Sequence, residues 1–299
     1  MLFLVLFCIS CNEIEPQNEV IKEAIAPVQK ILASQTAKQL ETFQRDSILN
    51  HLKAKVKRKE PLVVHLFVPL CDNENQGIVP VSKSLGDGMN LRSNLYWGAR
   101  YGIKSYFKID KQWQLLLQEK NIDPNVLERV VFKKIYPNQT TVYMIADAYR
   151  GDRMKACLED FNAAIAGKQE QYLSLDDTKI GIHHHADLIG FNGHNGLMDT
   201  SIEPQFNDGK VQKDAVIIAC ITNDYFIDHL LKARAYPLLL TTNLLAPEAY
   251  VIGNVIDAWA KLKNGEEIHL AAAKGYNQYQ KCGIRGAKRL FQTGWKKLE

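Results

Sequence analysis

Two short segments of the chain bring together residue types that can act as a nucleophile and its base. Gly193-His194-Asn195-Gly196 follows the apolar run Ala186–Phe191, and Ala219-Cys220 follows the apolar run Asp214–Ile218. A thiol with an ordinary pKa of about 8.5 is mostly protonated at neutral pH, and a nearby imidazole activates it by taking the proton or stabilising the thiolate. The N–H groups of a glycine-containing turn, here Asn195 and Gly196, suit the oxyanion formed in acyl transfer. For this chemistry the two runs must be neighbouring parallel strands that release His194 and Cys220 on one edge of a sheet, where open α/β folds bind ligands. Taken alone, a cysteine closing an apolar strand is a small buried hydrophobe, and a histidine in a glycine turn is a polar turn residue.

The rest of the chain supplies such a sheet. Leu62–Leu70 is a continuous apolar run of a kind found in strands buried on both faces. Thr140–Asp147 and Tyr236–Thr242 read as further strands, and Val130–Phe132 as a short one. Gly151–Gly167 carries Met154, Leu158, Phe161 and Ile165 on one helical face and ends in glycine. Helices are also expected at 94–103, 111–118, 223–233 and 247–262. Strands alternating with helices imply an α/β fold, a three-layer sandwich around a central, mostly parallel sheet. All strands of a parallel sheet end at one edge, so Cys71, Asp147, His194 and Cys220 are expected along one rim.

Two alternatives compete at that rim. Asp72, Asp147 and Asp199, with His194, are candidates to hold a divalent metal for ester hydrolysis, although aspartates in turns are commonly turn formers. Cys71, if its strand lies close, would form a disulfide with Cys220 and extinguish the nucleophile. His183-His184-His185 looks like a metal tract, but consecutive residues of an extended segment point in opposite directions, which favours a polar loop. Tyr149-Arg150-Gly151 either presents a guanidinium to an anionic ligand or only starts the next helix.

A histidine turn at one strand end and Ala-Cys at the end of the next resemble the caspase- and gingipain-like cysteine peptidases. The resemblance extends from Pro61 to Leu262, but rests on about ten residues around His194 and Cys220. It implies a caspase-like fold over 60–299, His194 as general base or acid, Cys220 as nucleophile, a peptide or protein substrate, and no metal or organic cofactor. Asn195 stands where the family usually has glycine, so a non-catalytic binding or scaffold protein on the same fold stays open.

At the amino end, Met1–Cys11 is apolar and too short to span a bilayer. Ser10-Cys11 resembles the end of a bacterial lipoprotein signal, in which the cysteine is lipidated. This implies a signal peptide over 1–11, a lipid anchor on Cys11, and a place in the bacterial cell envelope, periplasmic or surface-facing. Residues 12–59 read as a helical spacer of one or two amphipathic helices, with Ile21, Ile25, Val28, Leu32, Leu40, Phe43 and Ile48 at helical intervals, that separate the anchor from the main domain or pack on its side. Removing Cys8 and Cys11 leaves Cys71, Cys157, Cys220 and Cys282, too few for a disulfide scaffold in a domain this large. The net charge of +4 arises largely from two lysine- and arginine-rich clusters that suit solvated helix faces, so nucleic acid is not an expected partner.

Overall fold

His65 is the one polar side chain inside the run that the sequence marks as a buried strand. In the computed structural model, which describes residues 45–175, 178–207 and 209–295, that run is β1 (Leu62–Pro69), with every residue buried. It lies inside an eight-stranded sheet ordered β10-β9-β8-β7-β1-β4-β3-β2. The other strands are β2 (Gln114–Lys120), β3 (Val126–Ile135), β4 (Thr141–Tyr149), β7 (Leu188–Asn192), β8 (Lys213–Ile218), β9 (Ala235–Thr241) and β10 (Phe291–Gln292). Strands β4, β1, β7, β8 and β9 are parallel. β3 runs against both β4 and β2, and β10 runs against β9.

Alternation along β1 builds two cores. Leu62, Val64, Leu66 and Val68 face one side, with α1 (Asp46–Lys57), α2 (Ile103–Ile109), α6 (Ala249–Trp259) and α7 (Gly265–Gln280) supplying Leu52, Phe107, Ile252 and Ile268. Val63 and Phe67 face the other, against α3 (Met154–Ile165) and α5 (Ile227–Ala233), which supply Phe161 and Leu230. Helices therefore cover both faces of a mostly parallel sheet, the three-layer arrangement expected. β5 (Glu170–Leu175) and β6 (Thr178–His183) form a separate hairpin. Short helices α4 (Thr222–Tyr225) and α8 (Ile284–Arg289) and two 3-10 turns, Gly151–Arg153 and Gly196–Met198, complete the described elements.

Several segments differ from expectation. The 94–103 segment is a succession of tight turns, and the helix starts only at Ile103. A Cβ on Gly98 would meet the Arg92 carbonyl oxygen at 2.4 Å, and one on Gly102 would meet Trp97 backbone at 2.5 Å. The 111–118 segment becomes edge strand β2 rather than a helix, because Leu117 pairs with Val131 of an already buried strand. Tertiary pairing overrides local helical preference there. The β5–β6 hairpin and helices α7 and α8 carried no expectation.

The described residues fall in one compact unit. Helix α1, from the segment expected to space an anchor from the main domain or to pack on its side, packs into that unit. Ile48 and Leu52 are buried in its core, and the Arg45 guanidinium donates to both Asp214 carboxylate oxygens at 2.9 and 2.8 Å. The expected signal segment, Cys8, lipidation at Cys11 and the earlier spacer positions lie outside the described residues. Among the described residues no helix is long and apolar enough to cross a membrane.

Candidate functional site

The order of the parallel strands decides which loops meet. Numbered by their appearance in the chain, β4-β1-β7-β8-β9 read second-first-third-fourth-fifth, so connections leave β1 in opposite directions and a crevice opens at the carboxyl ends of β1 and β7. His194 leaves β7 at that crevice. β7 and β8 pair with Asn192 opposite Ile218, and the Gly193 N–H donates to the Ile218 carbonyl at 3.1 Å. His194 and Cys220 each stand two residues beyond that pair on adjacent strands, which are spaced about 4.8 Å apart in any sheet. Gly193 lets the turn pass close to β1, since a Cβ there would lie 3.1 Å from Pro69.

His194 is buried, and its Nε2 lies 2.6 Å from Oδ2 of Asp199. The same carboxylate oxygen accepts the Gly77 N–H at 2.9 Å, which ties the loop after β1 to the histidine. With Nε2 held by a carboxylate, Nδ1 is the nitrogen left to face a thiol. Asp199 was legible as a rim residue, but its place is behind the imidazole, as the group that fixes ring and tautomer.

The backbone at Cys220 is pinned on several sides. Asn195 Nδ2 donates to the Cys220 carbonyl at 2.7 Å, while Asn195 Oδ1 accepts from the Leu197 N–H at 3.1 Å. The Ile221 N–H donates to the Asn243 carbonyl at 3.2 Å, and the Thr222 N–H donates to Thr241 Oγ1 at 3.1 Å. Ile221 itself is left-handed, with φ 51°. A β-branched residue there is an outlier, and such strain is typically worth about 1–3 kcal/mol. It turns the chain sharply from β8 into α4 beside the thiol. Ile221→Gly relieves the strain but costs about 0.5–1 kcal/mol of backbone entropy and the contacts of a half-buried side chain, so a net change within about 1 kcal/mol is expected. A thermal melt of that variant checks the size.

Cys220 is half-buried, and its Sγ donates to the Leu245 carbonyl at 3.9 Å. Among the described residues no hydrogen bond joins it to His194. Cys71 is fully buried, and burial pushes its thiol up to about 11 despite a hydrogen bond to Tyr96. Cys157 is also buried and pushed up, whereas Cys282 is exposed. All four are free thiols, so Cys71 is a neutral neighbour and is not bonded to Cys220. Gly196 is pressed against α3, where a Cβ would lie 2.3 Å from Met154 Cγ, so its glycine identity already has a packing reason.

The three aspartates do not converge. Asp72 accepts the Glu74 and Asn75 N–H groups and the Asn75 side chain, and so shapes its own loop. Asp147 lies within β4, fully buried, between the Arg129 guanidinium at 2.6 and 2.7 Å and His65 Nε2 at 3.0 Å. Burial alone would raise its pKa, but Arg129 and His65 outweigh it and hold the carboxyl far below the usual range. Asp199 serves His194. Arg150 pairs with Asp152 at 2.9 and 2.8 Å at the start of the turn before α3.

No protein-family model matches the chain, and no curated protein or solved structure is significantly similar to it. The site must therefore be read from its own geometry. Three cavities, of about 320, 310 and 460 Å³, are lined by other residues than His194 and Cys220. Loops leaving the carboxyl ends of β1, β7 and β9 expose Val79 (88%), Met198 (42%) and Leu244 (64%).

Proposed function

We propose that the protein is a cysteine hydrolase of the caspase/gingipain-like kind, acting on peptide bonds with Cys220 as nucleophile and His194 as its base. The observation that carries this reading is the matched emergence of His194 and Cys220 from adjacent central parallel strands, with His194 held from behind by Asp199 at 2.6 Å. In this reading His194 Nδ1 takes the proton from Cys220 Sγ, and the thiolate adds to the scissile carbonyl. The protonated imidazole then gives its proton to the leaving amine, and water releases the acyl group. Asp199 stabilises the imidazolium, and N–H groups of the Asn195–Gly196 turn and of Cys220 stabilise the oxyanion. The apolar Met1–Cys11 segment supports export and attachment to a bacterial envelope membrane through Cys11.

A second reading, a binding protein without catalysis, draws on the Cys220 thiol leaning towards the Leu245 carbonyl rather than His194. Hydrolysis of a fluorogenic peptide library under reductant separates the two. Cleavage that falls about a thousandfold or more in Cys220→Ala, with no response to chelator, is the expected result. Cleavage that survives the substitution, or none with any peptide, contradicts the peptidase reading.

A further inference from the structure

The histidine tract sits at the opposite edge of the sheet, just before β7 begins, and the proposed dyad does not use it. It is not extended. His183 ends β6 with φ 53°, and the chain turns so that the His185 and Ala186 N–H groups donate back to Ile182 and His183 at 3.1 and 3.0 Å. The turn separates the three rings. His183 Nε2 goes to Gln171 at 2.9 Å, while the rings of His184 and His185 lie together, centroids 3.8 Å apart. Glu170, paired with His183 across the hairpin, completes a group. One ligand atom from each of Glu170, His184 and His185 lies within 4.8 Å of the others, and among the described residues no other such group occurs.

The hydrogen bonds say what this group lacks. His184 Nδ1 lies 3.0 Å from the Gln169 carbonyl, which can only accept, so in the neutral ring the proton is on Nδ1 and Nε2 carries the lone pair. Nε2 faces Glu170 Oε1 at 3.6 Å, too far for a hydrogen bond, and the gap between these two electron-rich atoms suits a cation, whether a proton or a metal ion. On His185, Nε2 is buried with no partner. An Nδ1–H donated to a carbonyl behind a bare Nε2 is the arrangement that orients a metal-binding imidazole. The Tyr172 ring packs on His185 at 4.5 Å and limits its rotation.

We propose that Glu170, His184 and His185 bind a late first-row divalent cation, with Zn²⁺ as the representative ion. Two imidazoles and a carboxylate are a donor set for such ions. Bonds of about 2.0–2.2 Å require the three donors to draw somewhat closer than 4.8 Å. The Glu170 side chain, 65% exposed, is free to close that gap. His184 and His185 also line a cavity of about 320 Å³, which leaves room for water or an anion as a further ligand. Two cations lie nearby. Lys213 Nζ is engaged by the His184 carbonyl, and Lys210 approaches Glu170 only to 4.0 Å, so neither occupies the space between the three donors.

The test is titration of the full chain, stripped with chelator, with Zn²⁺ against a chromogenic competitor. A background of Cys8→Ser, Cys11→Ser, Cys220→Ser and Cys282→Ser leaves only the buried thiols of Cys71 and Cys157. One equivalent is expected to bind, with affinity at least tenfold weaker in Glu170→Gln and in His184→Ala. Co²⁺ in place of Zn²⁺ should give ligand-field bands without thiolate charge transfer. Should His184→Ala fail to fold, the exposed Glu170→Gln carries the comparison. Equal affinity in parent and Glu170→Gln, a thiolate band, or no binding at all overturns the site.

Discussion

Asp147→Ala should cost about 3–5 kcal/mol of folding stability, because it strands the Arg129 guanidinium, only 3% exposed, without a partner in the sheet. His65 loses the acceptor for its Nε2 proton at the same time, since its Nδ1 is already accepting the His183 N–H at 3.1 Å. The midpoint of urea unfolding reads the loss directly. The network also fixes the sign of the pH dependence. Burial outweighs the Asp147 contacts at His65 and lowers its pKa, while Arg129 and His65 lower that of Asp147. In both cases the unfolded chain takes up protons first. Stability from His65 is thus lost as pH falls below about 6.5, and that from Asp147 as it falls below about 3.9. In Asp147→Ala the loss below about pH 4 should become shallower. An acid limb unchanged from the parent would show that the network does not govern it.

The second large effect concerns Asp199. Asp199→Asn should slow peptide cleavage by about ten- to a thousandfold while leaving the fold intact, because its side chain is 32% exposed. An amide in place of the carboxylate neither stabilises the imidazolium nor enforces the Nε2 proton, so the ring proton can sit on Nδ1, the nitrogen that has to accept the Cys220 proton. Replacing Asp72, whose carboxylate serves only its own loop, should instead act on stability. Rates and melting temperatures measured side by side for the two variants distinguish a positioning residue from a structural one.

What could be read from the sequence follows from where the signal is local. The apolar runs at β1, β4, β7, β8 and β9 announce buried strands, and the residues at their ends fall on one edge once the strands are parallel. His194 and Cys220 were legible for that reason. Asp199 was visible as a residue but not as a partner of His194, because the tight turn that returns it to the imidazole, closed by the Met198 and Asp199 N–H groups on the Asn195 and Gly196 carbonyls, has no periodic signal in the sequence. Asp147 gave the opposite error. Its position near a strand end suggested the rim, but its carboxylate is taken up by Arg129, a residue on an antiparallel strand that the sequence barely marks. The histidine tract is the polar loop before a strand that its sequence suggested, but the left-handed φ of His183, which turns the chain and brings the His184 and His185 rings together, has no signal in residue type. Ile221 carries no sequence signal of strain, because nothing in its type suggests a positive φ.

The most direct measurement of the central claim is the alkylation rate of Cys220 against pH, under reductant and followed by peptide mapping, in the parent and in His194→Ala. Mapping is needed because Cys282 is exposed and also reacts. The expected result is a Cys220 alkylation rate near pH 6 that falls at least tenfold once His194 is removed. A Cys220 whose rate is indifferent to His194 would contradict the dyad and leave a binding protein on this fold.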